Sequence, residues 1–154
     1  MLKAWRIVKT RFASSAFDGE GARKFGGRFN SVGVPVVYTA GSRSLAILEM
    51  LVHIGDENVL SSYSLCWAEF DAGLVEILEP ARLPANWQEA PSPPEALALG
   101  DDWISSQRSV VLQVPSVIVP DENNYLINPN HPDFPKLKIG TPEPISVDKR
   151  LLKK

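Results

Sequence analysis

Residues 42–54 read Ser-Arg-Ser-Leu-Ala-Ile-Leu-Glu-Met-Leu-Val-His-Ile, followed by Gly55. Ser42 suits a helix N-cap, because its hydroxyl can accept from a free N–H of the first turn, and Gly55 stands where helices commonly stop. From Leu45 to Ile54 only Glu49 and His53 are not apolar, so the helix is apolar almost all round and belongs in a core. Working outward, the neighbours are of another kind. Residues 4–8, 34–38, 63–70, 74–78, 110–114 and 117–119 are short runs rich in β-branched and aromatic residues, which read as strands. Pro35 lies near the start of its run, where a missing N–H is tolerated. Residues 97–108 form a second helix, weakened by Gly100. One buried helix among short strands predicts an α+β fold: a single compact domain of short, mostly antiparallel strands with two main helices.

The 154 residues suit one domain spanning 1–154, with 44% hydrophobic and 22% charged residues, close to globular averages. The net charge of −2 gives no basic footprint for direct nucleic-acid binding. A lone cysteine, Cys66, cannot form an internal disulfide, and its apolar flanks make it a buried strand residue in a reducing compartment. No apolar run reaches the roughly 18 residues needed to span a bilayer. Lys3, Arg6 and Lys9 break up the N-terminal apolar residues, unlike a signal peptide, so the expected location is the cytoplasm. Residues 11–33 are polar, glycine-rich and irregular; residues 80–94 carry five prolines and read as a surface connection. The basic run at 149–154 reads as a solvated tail.

Several chemistries fall away. Two histidines, His53 and His131, and no Cys/His cluster leave no zinc site, so no metal is expected. There is no phosphate-binding P-loop, and Gly19-Glu20-Gly21 lacks the rest of a dinucleotide fingerprint. What stands out is Glu49. A carboxylate among Leu45, Leu48, Met50, Leu51 and Val52 must face a cleft or find a partner. Ser42, Ala46, Glu49 and His53 share one helical stripe, which is either the solvated face or the wall of a pocket.

In the run Gly21-Ala22-Arg23-Lys24-Phe25-Gly26-Gly27-Arg28-Phe29-Asn30, glycines allow close backbone approach and arginine's fork suits phosphate, although such runs also form ordinary surface loops. Tyr38 offers either a core ring or a stacking face. Ser116 follows Pro115 at a break between apolar runs. Asn128 and His131 lie in a dense polar turn, where capping backbone is their default role.

Taken together, Gly21-Ala22-Arg23, Gly26-Gly27-Arg28-Phe29-Asn30, Val37-Tyr38, Ser44-Leu45-Ala46, Leu48-Glu49, Val114-Pro115-Ser116, the run from Asn124 through Pro129, and His131-Pro132 resemble the RES domain. The resemblance runs from about residue 5 to 139. The arginine, glutamate and serine that name the family are assigned to Arg28, Glu49 and Ser116, with Arg6 a rival for the arginine.

The resemblance implies a fold like the ADP-ribosyltransferases. It also implies a toxin, held in check by an Xre-type helix-turn-helix antitoxin, that depletes NAD⁺ by hydrolysis or phosphorolysis. DNA would then be met only through the antitoxin, NAD⁺ would be substrate rather than cofactor, and a homodimer is left open. On this reading Glu49 stabilises the positive charge that develops on the ribose, Arg28 and Arg6 grip the diphosphate, Arg23 and Asn30 also bind substrate, Tyr38 stacks on the substrate, and Ser116 and Asn128 bind the nicotinamide end. Ile47 stands where transferases of this fold often carry a Glu or Gln, which favours water or phosphate as acceptor. A protein-modifying transferase and a non-catalytic NAD⁺ or ADP-ribose binding module are the alternatives.

Overall fold

The computed structural model describes residues 1–53 and 62–152, so Gly55 and the last two lysines lie outside it. The backbone of the sheet is a long antiparallel pair. β1 (Leu2–Lys9) and β3 (Tyr63–Phe70) run in register from Leu2 opposite Phe70 to Lys9 opposite Tyr63. On the other side of β1 lies β2 (Val37–Ala40), joined to it at a single register pair, Trp5 with Ala40. Beyond β2 come β6 (Asn123–Ile127), β5 (Val111–Pro115) and β4 (Val75–Ile77); β7 (Lys138–Ile139) and β8 (Glu143–Pro144) both pair with β3. All pairings are antiparallel except β4 with β5, which makes the sheet mixed.

Side chains alternate across the sheet, so each face carries its own core. One face buries Ala4, Ala68, Phe70, Val111, Tyr125 and Ile127. The opposite face holds two clusters. Phe29, Leu112, Val114 and Leu126 pack under α3 (Pro94–Ser106), around Ala96 and Trp103. Ala40, Leu45 and Ala46 pack with Trp5 and Ile7 under α2 (Arg43–His53). A cleft opens between the clusters, where β1 and β2 part after one shared rung.

The sequence reading holds for β1, β3, β5 and α2. Ser42 does cap α2, its hydroxyl accepting from Leu45 N–H at 3.0 Å. Four details differ. Residues 11–33 are not irregular throughout: a 3₁₀ turn covers Thr10–Ser15 and a short helix, α1, covers Glu20–Phe25. The second strand starts at Val37 rather than residue 34, because Val34 O is taken by the Asn30 side chain and Pro35 has no N–H to pair. Helix α3 begins at Pro94, since a proline at N1 needs no donor. Residues 117–119 form no strand; the Ser116 hydroxyl accepts from the N–H groups of Ile118 and Val119, both at 3.1 Å, and folds the chain into a turn.

Gly100 is not a weak point of α3 but a contact. A Cβ there would lie 1.7 Å from the Phe29 carbonyl oxygen, so the helix meets the 27–31 loop backbone to backbone. Asp101, one residue on, accepts from Ser31 N–H at 2.9 Å and from its hydroxyl at 2.6 Å. These contacts fix the loop that carries Arg28.

Candidate active site

The cleft between α2, β2 and the 26–29 loop has a volume of about 580 Å³. Arg6, Arg28, Tyr38 and Glu49 all line it, which settles the helical stripe in favour of a pocket wall at Ala46 and Glu49. Trp5, Tyr63 and Asn124 line it as well.

Glu49 is held from one side. Its Oε1 accepts from the Asn124 amide at 3.0 Å and from the Ser116 hydroxyl at 3.2 Å. No protein hydrogen bond occupies Oε2 among the described residues. Ser116 is fully buried and does not line the cleft; it acts on Glu49 while its own oxygen is pinned by the turn behind it. The arrangement gives one carboxylate oxygen with a fixed direction and one left for a ligand.

Arg6 sits at the seam where β1 and β2 separate, and its Nη1 donates to the Tyr38 carbonyl at 3.1 Å. Burial is the largest influence on its guanidinium and lowers its pKa, with Cys66 and Asp18 pulling it back up. Its Nε is buried with no partner among the described residues. Arg28 is anchored differently: Nη1 donates to the backbone carbonyls of Trp87 at 3.1 Å and Glu89 at 2.7 Å. Among the described residues, the Nε and Nη2 groups of Arg28 have no hydrogen-bond acceptor and are left for a ligand. Two guanidinium groups from separate elements thus converge on one cleft: both candidates for the arginine line it.

The Tyr38 hydroxyl is tied down, accepting from Phe29 N–H at 3.0 Å and donating to Asn30 Oδ1 at 2.5 Å. Burial pushes its pKa well above the ordinary tyrosine value, and both hydrogen bonds of the hydroxyl are spent within the fold. Gly27 makes room for this contact, since a Cβ there would come within 2.7 Å of the Tyr38 hydroxyl.

The remaining sequence candidates stand apart from the cleft. Asn30 is buried, and its amide donates to the carbonyls of Ala22, Ser31 and Val34, each at 3.0 Å, so it staples the loop. Arg23 on α1 pairs with Glu20 at 2.7 Å, half-exposed. Asn128 is buried and accepts from Asn130 N–H at 3.0 Å, a turn cap. His131 is occupied too, with Nδ1 accepting from Asp133 N–H and Nε2 facing the Gln107 carbonyl. Cys66 is buried, as its flanks suggest, and burial is the main cause of its raised pKa.

Asn124 was legible in principle. Alternation along β6 puts residues 124 and 126 on the cleft face, and both line it. Among the described residues no group of His, Cys, Asp and Glu could hold a metal ion, and no helix is long and apolar enough to cross a membrane.

The sequence pattern of the RES domain matches residues 3–148. The chain belongs to the RES domain family. Among curated relatives, this RES domain is 42% identical over 130 residues to "Toxin Res" of Yersinia enterocolitica, covering 84% of this chain and 86% of that one. It is 39% identical over 155 residues to the "Prs ADP-ribosylating toxin" of a Sphingobium species, covering 97% and 96%. Among solved structures, it superposes on a chain of the M. tuberculosis MbcT–MbcA toxin–antitoxin complex with a TM-score of 0.73 at 19% identity, covering 99% and 87%. That likeness establishes the fold. The family and these relatives make the chain a RES-domain toxin.

Proposed function

We propose that this RES domain breaks the bond between nicotinamide and ribose C1′ in NAD⁺, acting in the cytoplasm as the toxin of a toxin–antitoxin pair. The observation that carries this reading is Glu49: one oxygen clamped by Asn124 and Ser116, the other free, in a cleft shared with Arg6, Arg28 and Tyr38. When the C1′–N bond breaks, its electron pair leaves with nicotinamide, which departs neutral, and positive charge develops on the ribose. A fixed carboxylate beside that ribose stabilises the charge where it forms. The two arginines suit the diphosphate, and the Tyr38 ring holds the planar end of the substrate.

Water or phosphate then bonds to C1′, the water losing its proton to solvent, to give ADP-ribose or its 1″-phosphate. Ile47 in place of an acceptor-orienting Glu or Gln favours these small acceptors. A second reading, transfer to a protein side chain, is favoured by the name of the Sphingobium relative, which is similar over nearly the whole chain. The proposed partner is an antitoxin of the Xre helix-turn-helix type, in keeping with a fold shared with a chain of the MbcT–MbcA complex.

The test follows NAD⁺ by proton NMR with purified protein, with and without phosphate. Nicotinamide release paired with ADP-ribose or its 1″-phosphate supports the reading and names the acceptor. Release only when a labelled protein accumulates favours the transferase, and no release in any condition overturns NAD⁺ cleavage.

A further inference from the structure

Asn124 does more than hold Glu49, and its other atom is informative. The amide nitrogen is spent on Glu49 Oε1, but the amide oxygen, Oδ1, is buried without a donor among the described residues, on a side chain that lines the cleft. Swapping the amide atoms would set oxygen against the carboxylate, so Oδ1 is the end left over. Native proteins rarely leave a buried acceptor unmet, and one at a cleft marks a place where a ligand supplies the hydrogen.

The geometry limits what that ligand group is. Nitrogen and oxygen of one amide lie roughly 2.3 Å apart, so Oδ1 sits within roughly 5 Å of the Glu49 carboxylate. Glu49 Oε1 already accepts two hydrogen bonds, which makes Oε2 the oxygen offered to a ligand. Oδ1 and Oε2 are both pure acceptors. A pair of adjacent acceptors calls for a pair of adjacent donors, and two hydroxyls on neighbouring ring carbons match it. A carboxamide matches less well, because Glu49 must face the ribose where charge develops.

We infer that Asn124 is a specificity-determining and positioning residue: its nitrogen aims Glu49, and its oxygen accepts from one hydroxyl of the ribose vicinal diol while Glu49 accepts from the other. This rests on the proposed NAD⁺ reading. It makes the cleft selective for an intact ribose diol.

The experiment measures kcat and KM of the full chain for NAD⁺ and for analogues lacking the 2′- or the 3′-hydroxyl of the nicotinamide ribose, in the parent, Asn124→Ala and Asn124→Asp. In the parent, each missing hydroxyl costs about tenfold or more in kcat/KM, one because it strands the buried Asn124 oxygen and the other because it removes a hydrogen bond to the Glu49 carboxylate. In Asn124→Ala one of the two penalties collapses towards unity and the other persists, a pattern that general damage to the fold does not produce. Asn124→Asp keeps the acceptor and loses the donor, so it retains both penalties while kcat falls. It carries the test if thermal melting shows Asn124→Ala to be unfolded. Parent-sized penalties for both hydroxyls in Asn124→Ala, or loss of discrimination at parent kcat in Asn124→Asp, overturn the inference alone. No NAD⁺ turnover by the parent overturns the reading on which it rests, and the inference with it.

Discussion

Gly100→Ala tests whether helix α3 and the Arg28 loop form one mechanical unit. The added Cβ would lie 1.7 Å from the Phe29 carbonyl oxygen and 2.8 Å from its carbon, both backbone atoms. A carbon–oxygen contact needs about 3.3 Å, so helix and loop must part by roughly 1.6 Å. Parting stretches the two Ser31–Asp101 hydrogen bonds, at 2.9 and 2.6 Å. Overpacking costs about 1–3 kcal/mol, weakened bonds to a carboxylate add about 1.5–3 kcal/mol each when fully lost, and alanine's helix propensity returns about 1 kcal/mol. The net loss is roughly 3 kcal/mol or more, which lowers Tm by roughly 6–12 °C in a chain of this size. Because the loop carries Arg28 and the Phe29 N–H that fixes Tyr38, displacement on this scale also lowers kcat/KM by roughly 10²-fold. Calorimetry and NAD⁺ turnover read the two effects. Gly21→Ala is the control for stability, since nothing lies within 4 Å of its Cβ. A Gly100→Ala protein that melts and turns over like the parent would refute the coupling.

Three further outcomes follow from the same geometry. Ser116→Ala leaves two backbone N–H groups without their acceptor and Glu49 Oε1 with Asn124 alone. It should cost about 1–3 kcal/mol in a denaturant titration and lower kcat more than it raises KM. Tyr38→Phe keeps the ring but strands Phe29 N–H and Asn30 Oδ1, so stability should fall by about 1–3 kcal/mol with stacking retained. The raised pKa of Tyr38 also sets a pH dependence. The folded state holds this proton more tightly than the unfolded chain, so its contribution is full below the usual value of 10.0 and is lost as pH rises beyond it. Melting temperature should therefore decline above about pH 10, and less steeply in Tyr38→Phe; equal slopes would contradict the burial of that hydroxyl.

The parts legible in the sequence are those written in local pattern. The Ser42 cap and the continuous apolar run define α2, and the aromatic-rich apolar run at 63–70 coincides with β3 to the residue. Glu49 stood out because a carboxylate in apolar company needs a reason, and the reason is a clamp plus a cleft. What stayed hidden depends on long-range contact. Gly100 reads as a helix weakness until Phe29 O is seen against it. Asn30 and Asn128 look like ligand groups because an asparagine that staples its own loop has the same local sequence as one that binds. Trp5 reaches the site only because strand register brings β1 to the cleft, and no local spacing announces that. Arg6 and Arg28 could not be ranked from sequence since one comes from a strand and the other from a loop; both line the cleft.

The most direct test of the account is Glu49→Gln, with NAD⁺ binding measured by calorimetry beside nicotinamide release measured by NMR. Glutamine keeps the shape and the contact to Ser116 but removes the charge. The account predicts a dissociation constant close to the parent's and a fall in kcat of at least 10²-fold, since what is removed acts on the charge that develops in the transition state. A Glu49→Gln protein that binds NAD⁺ and releases nicotinamide at the parent's rate would contradict the role of Glu49 outright.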